Sequence, residues 1–137
     1  MKRISILLAA MAAFGLSVPA AAEGASHRII IWYKAAPGHQ LDLLKWLAEQ
    51  DRLAEAAGTP RLQLYVHSSG SDWDYLVIQD ETTREQEAAL EATARRLSIN
   101  RSPSVAIELR RHIISHEDMR AWGPMTPAEY LKRVSER

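Results

Sequence analysis

Apolar residues recur at every second position in some stretches of this chain and at three- and four-residue steps in others. From Leu62 to Asp80 the aliphatic residues Leu62, Leu64, Val66, Leu76 and Ile78 alternate with Gln63, Tyr65, His67, Trp73, Tyr75, Val77 and Gln79. Alternation of this kind is the mark of a strand with two unlike faces. Ser68 to Asp72, with Gly70, supplies a turn, so the stretch predicts a hairpin. Arg28 to Lys34, rich in β-branched and aromatic residues, predicts a strand before it. Val105 to Ser115 predicts a fourth strand, with Ile107, Leu109 and Ile113 on one face and Glu108, Arg110, His112 and Ile114 on the other.

Between these strands the period changes. Leu43, Trp46, Leu47, Gln50, Leu53, Ala54 and Ala57 fall at helical steps, predicting a helix from His39 to Ala57 that Gly58 stops. Arg84 to Leu97 predicts a second helix, with Leu90, Ala94 and Leu97 on one side, Thr82 and Thr83 as candidate N-caps and capping-box spacing from Thr82 to Glu85. Thr126-Pro127-Ala128-Glu129 starts a short last helix.

The order strand, helix, strand, strand, helix, strand predicts an α+β, ferredoxin-like βαββαβ fold. Its four-stranded antiparallel sheet would carry both helices on one face. The aliphatic residues of the hairpin would meet the helices. The opposite face, bearing Tyr65, His67, Trp73, Tyr75, Glu108, Arg110 and His112, would lie bare, and a small chain seldom leaves such a face in water. A second copy pairing sheet to sheet would cover it and enclose a cavity.

Composition adds a compartment. Lys2 and Arg3, the apolar run Ile4 to Leu16, and Ala20-Ala21-Ala22 before Glu23 form a secretory signal with cleavage between Ala22 and Glu23. The run is short for a membrane span, so no stable anchor is expected after its removal. The expected division is a signal at 1–22, a flexible N-terminus at 23–27, the barrel domain at 28–116 and an extension with a short helix at 117–137. Cleavage removes two of the 17 basic and none of the 17 acidic side chains, leaving a net charge near −2. A periplasmic or secreted protein of that charge, with no basic tract, does not suit nucleic acid. With no cysteine, disulfides and thiolate metal sites are excluded.

The element order, Pro37-Gly38 after the first strand, the strand Tyr65-Val66-His67 and the run Trp73-Asp74-Tyr75-Leu76-Val77-Ile78 together resemble the dimeric α/β-barrel superfamily. That group includes the antibiotic-biosynthesis monooxygenase-like, stress-responsive barrel and NIPSNAP-like families. The tail from Gly123 to Leu131 is similar to the end of small exported proteins of unknown function with the same core. The resemblance implies a homodimer. It does not choose among haem binding, cofactor-free oxidation of quinols, lactone isomerisation and no known activity.

Candidate chemistry follows from the bare face. His67 as a neutral imidazole could take a proton, with Tyr65 and Tyr75 orienting an oxygen. Trp73, Glu108, Arg110 and His112 would bind the ligand. His112 and His116, four residues apart on a strand, would stand about 13 Å from each other, too far to share an ion, so no metal and no cofactor are expected. The leading expectation is an exported homodimer holding a small organic molecule, by cofactor-free proton transfer or monooxygenation if it is an enzyme. The alternatives are a non-catalytic envelope protein whose sheet face is only a dimer contact, and a haem-binding barrel.

Overall fold

The computed structural model describes residues 26–136. The expected signal segment and its expected cleavage between Ala22 and Glu23 lie outside the described residues. The elements are β1 (Ser26–Ala35), α1 (Gln40–Ala57), β2 (Gln63–Val66), β3 (Tyr75–Asp80), α2 (Arg84–Leu97), α3 (Val105–Arg110), β4 (Ile113–Gly123) and α4 (Pro127–Ser135). The strands form one antiparallel sheet in the order β2-β3-β1-β4. This is the ferredoxin-like order, and the class is α+β as expected. Among the described residues no helix is long and apolar enough to cross a membrane.

One sheet face carries α1, and α2 packs against α1. The main core joins Tyr33 and Ala35 of β1, Tyr75 and Val77 of β3, Leu43 and Leu47 of α1 and Ile113 of β4. A smaller cluster, Leu53, Leu90, Ala94 and Ile99, binds α1 to α2. Gly58 closes α1 at φ 68°, a left-handed backbone that costs glycine least. The capping box of α2 is Thr83 with Gln86 rather than Thr82 with Glu85: the Gln86 amide donates to the Thr83 hydroxyl at 3.2 Å, and Gln86 Oε1 accepts from the Thr83 amide at 2.8 Å. The box at Thr126 and Glu129 forms as expected.

Two expectations are corrected. Val105 to Arg110 is a helix, not the start of the last strand. Leu109 packs on the main core and Val105, four residues earlier, lines the space beneath α1, which is helical spacing. The intervening Ile107 is 61 % exposed. The last strand therefore begins at Ile113 and runs through the segment expected to be an extension, pairing along β1 from Ala35 back to Ser26. Ser26 and His27, expected to be flexible, belong to that ladder.

The second correction is one of register. Val66 stands opposite Tyr75, Tyr65 opposite Leu76 and Leu64 opposite Val77. Partners in an antiparallel ladder share a face, and a one-residue slip exchanges the faces. Leu64 and Val66 therefore share the helix-side face with Val77 and Tyr75, while Leu76 and Ile78 join Tyr65 and Gln63 on the open face.

Candidate functional site

The open face takes alternate residues of each strand. Arg28, Ile30, Trp32 and Lys34 of β1 lie between Leu76, Ile78 and Asp80 of β3 and Ser115, Glu117, Met119 and Ala121 of β4. No helix among the described residues packs on it. Ile30, Trp32, Leu76 and Ile78 are half-buried by their neighbours in the sheet, and Tyr65 and Met119 are exposed. Arg28 and Asp80 pair across the strands at 3.2 Å. At one end a hollow of about 440 Å³ is bounded by Trp32, Lys34, Ser71, Asp72, Trp73, Ser115, Glu117 and Met119. Lys34 Nζ donates to Asp72 Oδ1 at 2.5 Å, which holds the hairpin loop over β1. The ring of His67 lies 5.6 Å from that of Trp73.

Of the residues read from the sequence, then, Tyr65, His67 and Trp73 gather on or beside the open face. Tyr75 does not. It is buried on the opposite face, its hydroxyl donates to the Gln40 carbonyl at 3.1 Å, and desolvation, then the nearby Asp74 charge, raises its pKa. Glu108 and Arg110 are also absent from the sheet, because α3 replaces the strand that would have carried them. Arg110 is exposed, whereas Glu108 faces a second hollow beside His112, which sits in the turn between α3 and β4.

A third space lies between sheet and helices. It measures about 350 Å³ and is lined by Ile29, Ile31, Tyr33 and Val77 from the sheet, Trp46, Leu53 and Ala54 from α1, and Leu90 from α2. Gln50, Thr59, Gln79, Asp80, Thr82 and Glu87 bring polar groups to its wall. Arg101, paired with Glu87 at 2.5 Å, stands at its border. Burial, and secondarily the charge of Asp118, pushes the Tyr33 phenol up to about 12, so that side chain stays a neutral hydroxyl. A cleft that joins apolar walls to convergent polar groups is the usual form of a small-molecule site. The sequence signal that could have found it is the single-residue alternation of Ile29, Ile31 and Tyr33 continuing into Val77 and Gln79 once the hairpin register is known.

No protein-family profile matches the sequence, and no curated protein matches it. Among solved structures, the chain is similar to an uncharacterized NIPSNAP domain protein from Burkholderia xenovorans. The identity is 14 %, covering 74 % of this chain and 96 % of that one, with a TM-score of 0.46. It is also similar to PA3566 from Pseudomonas aeruginosa, with 20 % identity over 72 % of this chain and 94 % of that one and a TM-score of 0.42. The fold assignment rests on the strand order and on the helix layer confined to one face.

Proposed function

We propose that this protein is an exported homodimer that binds a small organic molecule between its sheet and its helices. The observation that carries the reading is the cleft of about 350 Å³, walled by Tyr33, Trp46 and aliphatic side chains and supplied with the amides of Gln50 and Gln79. With Thr59, Asp80, Thr82 and Glu87 also on the lining, the cleft suits an amphipathic ligand with several hydrogen-bonding groups. In this reading the open face serves the dimer. Ile30, Trp32, Leu76, Ile78 and Met119 give it an apolar centre, and Arg28, Asp80 and Glu117 give it a charged margin, the anatomy of a protein interface.

Native mass spectrometry of the purified protein tests both parts. The expected result is the mass of two chains plus a small organic residue on each. Ala54→Leu, which projects extra volume into the cleft, should lose the residue while the dimer mass persists. A dimer that never carries a residue, and that Ala54→Leu merely stabilises by filling space, refutes ligand binding in the cleft. A monomer refutes the interface.

The group Trp32, Trp73 and His67 favours a second reading, in which the ligand lies in the open-face hollow of about 440 Å³ and is closed over by the partner. There His67 would be the proton acceptor and Tyr65 a donor, with Glu117 and the Lys34–Asp72 pair at the polar end. Loss of the bound residue in His67→Ala or Trp32→Ala, with retention in Ala54→Leu, selects this site over the cleft.

A further inference from the structure

We propose that His39, Asp42 and His112 form a binding site for a divalent transition-metal ion of the zinc class. The site is separate from the open-face hollow and from the cleft between sheet and helices, and borders the hollow beside His112. His39 is the residue before α1, Asp42 is in that helix's first turn, and His112 lies between α3 and β4. The backbone brings them together through one residue: the Ala36 amide donates to the His112 carbonyl at 2.8 Å, and the Ala36 carbonyl accepts from the His39 amide at 2.9 Å. The two imidazole centres are 5.8 Å apart.

The donor geometry is close to what a metal needs. One atom from each of His39, Asp42 and His112 lies within 4.8 Å of the other two. His39 Nδ1 stands 3.4 Å from Asp42 Oδ2, and two donors at ~2.0–2.1 Å from a tetrahedral ion stand about 3.3 Å apart. Closing the triangle shortens its longest side by at most about 1.5 Å.

The second observation is that each imidazole has a shielded nitrogen without a hydrogen bond. Nδ1 of His39 and Nδ1 of His112 are both shielded from solvent and have no hydrogen-bond partner. A buried ring nitrogen without a partner is uncommon, because its desolvation goes uncompensated. A metal would supply the missing interaction to both.

The surroundings admit a cation. The adjoining hollow of about 320 Å³ is lined by Asp42, Lys45, Trp46, Glu49, Glu108 and His112. On that lining the carboxylates of Asp42, Glu49 and Glu108 outnumber the one ammonium, that of Lys45. Lys45 Nζ is 3.5 Å from Asp42 Oδ1 and its side chain is 66 % exposed, so it can swing into water when an ion arrives. Two imidazoles and one carboxylate leave room for Glu108 or water as a fourth ligand, the pattern of a zinc site with an open position.

The test is titration of the untagged protein with zinc chloride, followed by native mass spectrometry, and with cobalt chloride, followed by visible absorption. One ion per chain is expected, with ligand-field bands of a tetrahedral cobalt site. His39→Ala and His112→Ala should each weaken binding roughly tenfold or more, and His116→Ala should not. Failure to bind zinc, or binding unchanged in the double variant His39→Ala/His112→Ala, overturns the proposal. Should the variants not fold, the imidazole NMR signals of the unaltered protein decide: zinc must shift those of His39 and His112, and a response confined to His27, His67 or His116 overturns it.

Discussion

Asp74 closes the end of β1 by bonding to Ala35. Its Oδ2 accepts the Ala35 amide at 2.7 Å, while its own amide donates to the Tyr33 carbonyl at 2.8 Å. The side chain thus takes the place of a ladder partner just where the β1–β4 register shifts, between Lys34 and Ala35. Asp74→Ala leaves that partly buried amide without an acceptor and should cost about 1–3 kcal/mol. A lower denaturant midpoint at unchanged slope would show it; an unchanged midpoint would mean that water replaces the carboxylate.

Tyr75 offers a contrast between a structural and a functional phenol. Tyr75→Phe keeps the buried ring and loses only the bond to the Gln40 carbonyl. We expect stability to fall by about 1 kcal/mol and the binding proposed for the cleft to be unaffected. Loss of that binding without loss of stability would make Tyr75 a ligand contact.

Tyr33 sets an alkaline limit. Its pKa is pushed from 10.0 to about 12 in the folded protein, by burial first and Asp118 second. Between those values the unfolded chain has released the proton and the folded chain has kept it, so stability falls as pH rises. The contribution is complete below pH 10 and is lost on the way to about 12, on the order of 2 kcal/mol for this largely buried group. Denaturation midpoints measured across that window should decline less steeply in Tyr33→Phe. Identical slopes would place the alkaline transition elsewhere.

Two helix ends should respond in opposite directions. Gly58 has φ 68° and Ser98 has φ 55°, both left-handed. Nothing lies within 4 Å of a Cβ built on Gly58, so Gly58→Ala acts through the backbone alone and should destabilise by about 1 kcal/mol. Ser98→Gly relieves the same conformation and should stabilise by a few tenths to about 1 kcal/mol. Thermal melts of the pair would reveal the crossed signs.

Much of the fold was legible because it obeys simple periods. β1, α1 and α2 each bury a face that recurs at two or at three and four residues; Gly58 marks the end of α1 and Thr126 the start of α4. β4 does not behave this way. Ile-Ile-Ser-His-Glu-Asp-Met-Arg is polar on both sides because it is an edge strand, exposed along most of its length, and its conformation comes from the backbone of β1. Val105 to Leu109 imitated a strand because β-branched and aliphatic residues alternate there by chance of a short helix. The hairpin faces turned on whether an even residue meets an odd one across a loop, which composition does not reveal. His39 and His112 were invisible as a pair, since only the fold brings the start of α1 to the turn before β4.

The position of β1 bears on how the molecule is made. It is the first strand among the described residues and lies inside the sheet, yet both of its neighbours come later, β3 and then β4. A chain emerging from a ribosome therefore presents an apolar strand that waits for its partners. One edge is covered when residues 75–80 arrive and the other only with residues 113–123. Sheet completion is a late, long-range event, and until then the Ile29 to Trp32 segment is a natural target for a holding chaperone or for another copy in the same unfinished state.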